Sequence, residues 1–142
     1  ELSKSLSKIS SESILKILDD IFCKNIKFIE QNHRIVTYAK KIQKKEGKIN
    51  WSEKATKILA KINGLNPNPG AWFVYKKIRY KVWKAKVVEK IGLAGTILDK
   101  NFIIGCGDTS LEIIEIQKEG KKKLLLKDFL MGLNFNQGDE LK

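Results

Sequence analysis

One change of period constrains this chain more than any other feature. In "NWSEKATKILAKINGL", residues 50–65, the apolar side chains Ala55, Ile58, Leu59 and Ile62 recur at helical spacing, with Lys54, Lys57 and Lys61 on the other side. Ser52 is the expected N-cap and Gly64 the expected stop. The stretch "INGLNPNPGAW" then holds the only prolines, Pro67 and Pro69, which forbid the helix from resuming. Beyond it, "KKIRYKVWKAKVVE" alternates, with Ile78, Tyr80 and Val82 facing one way and Lys77, Arg79 and Lys81 the other. At Trp83 the phase slips, and Trp83, Ala85 and Val87 carry the apolar pattern opposite Lys84 and Lys86. A one-residue slip inside a long strand is a β-bulge, which bends the strand. Across that bulge Lys77, Arg79, Lys81, Lys84 and Lys86 stay on one exposed face, a cationic stripe on a curved strand.

The segments around this strand fill out the architecture. Short strands are expected at "GTILD", "FIIGC" and "SLEIIEIQ", turning at Asp99–Asn101 and Gly107–Asp108. "KEGKKK" is a basic loop before another short strand, "KDFLMG" a last helical turn and "NFNQGDEL" a terminal extended piece. Upstream, Ile14, Ile17, Leu18, Ile21 and Phe22 form one stripe of a helix opened by Ser10 and Ser11, with a shorter turn at Leu2, Leu6 and Ile9. Residues 25–48 show no sustained period and read as a linker, extended around Ile35–Tyr38. The fold class is therefore mainly β with helices: a small OB-like β-barrel preceded by an N-terminal helical segment and a linker. The divisions fall at 1–28 for the helical segment, 29–47 for the basic linker and 48–142 for the barrel. The N-terminal stripe has little local material to pack against, and the chain opens on Glu1, so a fragment of something longer is expected.

Charge points to the partner. The net charge is +12, from 26 lysines and two arginines against 16 acids. Residues 1–31 sum to zero and residues 101–142 to −1, whereas residues 32–100 hold 17 basic side chains against four acidic ones. Lysine, isoleucine and asparagine usage of this kind fits an AT-rich coding sequence, but codon bias would not confine the excess to one segment. A polyanionic partner would. No apolar run reaches the ~20 residues of a membrane span, and the first residues, "ELSKSLSKIS", lack the basic head and apolar stretch of a signal peptide. Cys23 and Cys106, with the single His33, exclude a zinc site of four Cys or His ligands, and both cysteines are expected reduced and buried. His33 has no nearby aspartate to orient it, and "GCGD" is a turn; neither a phosphate-cradling loop nor a dinucleotide fingerprint is present. Trp72, Tyr75, Tyr80 and Trp83 are candidate stacking platforms for unpaired bases, but most of them fit core positions better, with Tyr80 and Trp83 both on the apolar side of the strand.

The motifs "TYAKKIQKKEGKINW", "INGLNPNPGAW", "KVWKAKVVE", "GTIL" and "EIQKEGKKKLLLKDFLMG" occur in this order in a known family. From about Thr37 onward the chain resembles the methionyl-tRNA formyltransferases, and the helix at 10–23 resembles the last helix of their catalytic domain. The resemblance implies a two-domain enzyme that moves a formyl group from 10-formyltetrahydrofolate to the methionine amino group on initiator tRNA. It also implies that the barrel and linker hold the tRNA while folate and catalytic residues belong to the N-terminal domain. This fragment would then bind no cofactor and carry no catalytic residue. Asn68 stands where the family usually has an aromatic, and Asn63 where it usually has arginine, so the role implied for this loop is mechanical.

The expected partners are initiator methionyl-tRNA and the N-terminal catalytic domain, in a cytoplasmic monomer without membrane attachment. The tRNA-binding candidates are Lys40, Lys41, Lys44 and Lys45 of the linker, Arg79, Lys81, Lys84 and Lys86 of the strand, and Lys121, Lys122 and Lys123 of the loop. Lysines in such an array neutralise phosphates, giving affinity and orientation with little sequence readout. Two alternatives stay open: the barrel of a nucleotide-sugar formyltransferase, and an interaction domain without autonomous RNA binding.

Overall fold

A computed structural model describes residues 2–131 and 135–142. It divides into two compact units, 1–39 and 40–142. The first contains one long helix, α1 (Leu2–Phe22), that buries none of its residues. Its start lies well before the expected one, so Ser10 and Ser11 are interior positions rather than caps, and the Ser11 hydroxyl donates to the Lys8 carbonyl. The stripe Ile14, Ile17, Leu18 and Ile21 forms as the spacing requires but stays exposed. Where an extended segment was expected near Ile35, a 3-10 turn spans His33–Ile35, opened by the Asn32 side chain accepting from the Arg34 amide. Cys23 is exposed, against the expectation of burial, whereas Cys106 is buried. Burial, and then the Asp108 carboxylate, push the Cys106 thiol up to about 11.

The second unit is built on antiparallel pairing. Helix α2 (Ala55–Leu65) precedes β1 (Ala71–Tyr75) and β2 (Ile78–Val88). Strands β3 (Ile103–Gly105), β4 (Ser110–Lys118) and β5 (Leu124–Leu125) follow, then the short helix α3 (Leu126–Leu130). The sheet order is β1-β2-β4-β3, with β5 pairing on β4. Strand β1 was not anticipated. It pairs with β2 through a two-residue turn at Lys76 and Lys77, whose φ values of 47° and 64° are both left-handed. Hairpin turns of this kind favour Asn-Gly, so a lysine pair gives no turn signal, and Lys77 belongs to the turn rather than to the stripe.

The bulge at Trp83 is present, and it has a counterpart. Val82 pairs with Ile116 and Ala85 with Ile113, leaving Trp83 and Ile114 as extra residues on their strands. Both strands change face together, so Val82 and Ala85 on β2 point inward beside Ile113 and Ile116 on β4. The overall register is the same before and after, which lets the ladder bend without slipping.

Phe73, Tyr80, Phe102 and Phe129 gather with Phe135 at ring separations of 4.8 to 6.5 Å to form the aromatic heart of the core. Ala55, Ile58 and Ile62 of α2 are fully buried and Leu59 packs beside them, as the period indicated. The expected Ser52 cap does not form. Lys54 occupies that position, and the Ala55 amide instead donates to Asp108 Oδ1 at 2.8 Å, a cap supplied from the β3–β4 turn. The helix runs one residue past Gly64, to Leu65.

The strand ladders stay open between β3 and β1, and two irregular segments cross the gap. Ile97 bridges Ile104 on one side, Thr96 bridges Glu140, and Lys142 exchanges backbone hydrogen bonds with Val74 of β1. Segment 95–99 thus contributes single bridges rather than the ladder strand expected there. Asp139 fastens this seam: the Tyr75 hydroxyl and the Asn136 amide donate to its carboxylate, and both hold its pKa below the ordinary value. The expected terminal extended piece is interrupted in the described residues by a turn at Gln137 and Gly138, after which Glu140 bridges Thr96. Gly132, at the end of "KDFLMG", and Asn134, at the start of "NFNQGDEL", lie outside them.

Candidate nucleic-acid interface

The outward face of β1, β2 and β4 carries one continuous polar row. Trp72 pairs with Lys81, and Lys81 pairs in turn with Gln117. Arg79 lies over the Trp72 ring, its guanidinium carbon 4.3 Å from the centroid. Lys81 Nζ lies 4.2 Å from the centroid of Trp83, and Lys123 Nζ reaches the same ring at 5.3 Å. Such contacts hold a cation against an indole face without neutralising it.

Each indole is fixed by its N–H. Trp72 Nε1 donates to the Lys44 carbonyl at 3.0 Å, which ties the linker to β1. Trp83 Nε1 donates to Gln117 Oε1 at 2.8 Å, and Gln117 Nε2 donates to the Lys121 carbonyl at 2.7 Å. Tyr80 is buried as expected. Trp83 is not in the core: as the bulge residue it is half-buried and its polar edge meets the outward Gln117. Trp72 is likewise half-buried, because it alternates with the inward Ala71 and Phe73.

The proline joint forms one wall of this face. Asn66 Nδ2 donates to the Trp83 carbonyl at 2.8 Å, and Lys81 Nζ donates to the Pro67 carbonyl. Gly70 has φ +79°, a left-handed conformation that favours glycine, and the end of the Lys81 side chain packs into the space a Cβ would take. Partial burial draws the Lys81 pKa downward. The result is a depression of about 260 Å³ bounded by Asn68, Pro69, Trp72, Arg79, Lys81 and Glu119.

The candidate cations do not form one cluster. Lys44, Arg79 and Lys81 line the depression together. Lys44 and Lys45 belong to a 3-10 turn, Lys44–Gly47, pressed against β1; a Cβ on Gly47 would stand 2.4 Å from the Gly70 carbonyl oxygen. Lys40 and Lys41 are exposed in the irregular segment before it, and Lys121, Lys122 and Lys123 are exposed in the turn before β5. Lys84 and Lys86 lie outward beyond the bulge, where β4 presents glutamates. Lys86 pairs with Glu112 at 3.0 Å, Lys123 with Glu115 at 2.8 Å, and Lys84 sits opposite Glu115 in register. The stripe is therefore continuous in position but uneven in field: its far end is partly offset by acids.

Several residues of this face were not singled out from sequence. Trp72 was placed in the core because β1 itself was missed. Pro69 was read only as ending the helix, and Gln117 and Glu119, inside a quoted motif, were given no role; the place of these two comes only from cross-strand registration. The β4 glutamates were readable, since Glu112 and Glu115 flank the slip in "LEIIEI" and must face outward if Leu111, Ile113 and Ile116 face inward.

No helix among the described residues is long and apolar enough to cross a membrane. Residues 41–134 match the family described as formyl transferase, C-terminal domain. The methionyl-tRNA formyltransferase of Pelagibacter ubique (strain HTCC1062) is 40% identical over 141 residues, covering 99% of this chain and 46% of that protein. That of Rickettsia massiliae (strain Mtu5) is 39% identical over 144 residues, covering 100% and 47%. The chain thus spans about half the length of the curated relatives it matches. Among solved structures, a variant of HypX from Aquifex aeolicus superposes with TM-score 0.66 at 20% identity, over 92% of this chain and 26% of that one. HypX in complex with tetrahydrofolic acid gives 0.65 at 20%, again over 92% and 26%. At such identity the likeness establishes the shared fold alone. By the match over residues 41–134, this chain belongs to the formyl transferase C-terminal domain family.

Proposed function

We propose that this chain is the tRNA-holding C-terminal half of a methionyl-tRNA formyltransferase. The whole enzyme would transfer a formyl group from 10-formyltetrahydrofolate to the methionine amino group on initiator tRNA. Catalysis and folate binding would belong to an N-terminal domain, and the exposed α1 stripe would pack against it. The observation that carries this reading is the convergence of Lys44, Arg79 and Lys81, from linker and strand, on one outward face beside the lysines of the 121–123 turn. Each cation there neutralises a phosphate and releases a counterion, so affinity comes with orientation. Orientation is what a transferase needs, because misplacing the reacting groups by ~1 Å costs about 100-fold in rate. A nucleotide-sugar enzyme has less use for an array of this extent.

The test is titration of the chain against labelled initiator and elongator tRNA at several salt concentrations. Binding should weaken with a log–log slope of roughly −3 or steeper, the signature of several phosphates neutralised together. Equal affinity for the two tRNAs would place selectivity in the other half of the enzyme. Absence of binding at low salt would overturn the reading in favour of an interaction domain.

A further inference from the structure

We propose that the depression between the proline joint and β2 takes one unpaired nucleobase of the bound RNA, stacked on the Arg79–Trp72 layer. This rests on the RNA-binding reading above and adds a base-sized subsite to a surface otherwise suited to phosphates. The geometry supplies each part. The Arg79 guanidinium lies on Trp72 at 4.3 Å and is itself exposed, so its opposite face is open to a second planar group. A guanidinium backed by an indole is a rigid, flat cation of the kind on which bases stack. Lys44 and Lys81 stand around the same depression and can meet the phosphate attached to such a base. Its volume of about 260 Å³ has room for a single base.

Two further observations favour a base over a purely electrostatic contact. Trp72 and Trp83 stand on the outward face, partly buried, with their indole N–H groups fixed by the Lys44 carbonyl and Gln117, so the face carries aromatic rings as well as cations. In addition, Glu119 borders the depression, and a carboxylate there repels a phosphate but accepts from an amino group on a base edge. Paired bases of a duplex are already stacked on one another, so the subsite selects a nucleotide outside a helix.

The experiment measures binding of the 142-residue chain to single-stranded hexa-adenylate and to an abasic hexamer of the same charge. Hexa-adenylate should bind about tenfold or more tightly than the abasic probe and quench tryptophan fluorescence. Arg79→Lys retains the charge and loses the flat stack; it should bring the ratio of hexa-adenylate to abasic affinity down to about one. Trp72→Leu should do the same. Equal binding of the two probes by the parent chain overturns the base subsite and leaves the phosphate reading standing. So does a preference that survives both substitutions. Failure of every probe to bind at low salt overturns the RNA reading and the subsite with it.

Discussion

The two halves of β2, before and after the bulge, have similar sequences and different properties. Before it, Tyr80 and Val82 fill the core while Arg79 and Lys81 stand outward among tryptophans, and neither forms an ion pair with an acid among the described residues. After it, the inward residue Ala85 is small and the outward Lys86 is paired with Glu112. Alternation of lysine and apolar residues is the same in both. What differs is the neighbour: the proline joint and β1 on one side, a glutamate-bearing stretch of β4 on the other. A charge stripe read along one strand therefore overstates the field, because the adjacent strand can cancel it.

Core substitutions should show the largest asymmetry. Tyr80→Ala removes a ring packed against Phe73 and Phe129, and should cost about 3–5 kcal/mol in denaturant unfolding. Val87→Ala in the far half, partly buried, should cost about 1–1.5 kcal/mol. Equal costs would mean that the halves share the core evenly.

Binding should show the next largest. Arg79→Ala combined with Lys81→Ala should flatten the salt slope for tRNA by roughly 1.5 to 2. Lys84→Ala combined with Lys86→Ala should flatten it by less than about 1, since one of these lysines already has a carboxylate partner. Similar slopes for the two double variants would break the distinction between the halves. The smallest effect sharpens it: Glu112→Gln frees Lys86 and should tighten tRNA binding by about twofold, the scale of one exposed ion pair.

Much of this was legible in the sequence, and the misses have physical reasons. The α2 stripe and the bulge at Trp83 were readable because burial imposes period on apolar residues, and a slipped phase leaves a mark. Strand β1 was hidden by its turn, since Lys76 and Lys77 adopt left-handed φ without the usual glycine or asparagine. The cap of α2 was misassigned because Asp108, 53 positions away, supplies it in place of Ser52. Trp83 was placed inward because alternation cannot say which side a bulged residue takes; the Gln117 amide settles it outward. The candidate site was visible as charge but not as a surface, because cross-strand partners such as Gln117 and Glu119 enter only with registration.

The most direct test uses the chain's three tryptophan indole N–H signals as reporters in a nitrogen-15 NMR titration with initiator tRNA. Trp72 and Trp83 stand on the proposed interface, and Trp51 is buried in the core. The signals of Trp72 and Trp83 should shift or broaden while that of Trp51 stays in place, and added salt should reverse the change. Unmoved Trp72 and Trp83 signals in a chain that binds tRNA would contradict the account, placing the RNA on another face of the molecule.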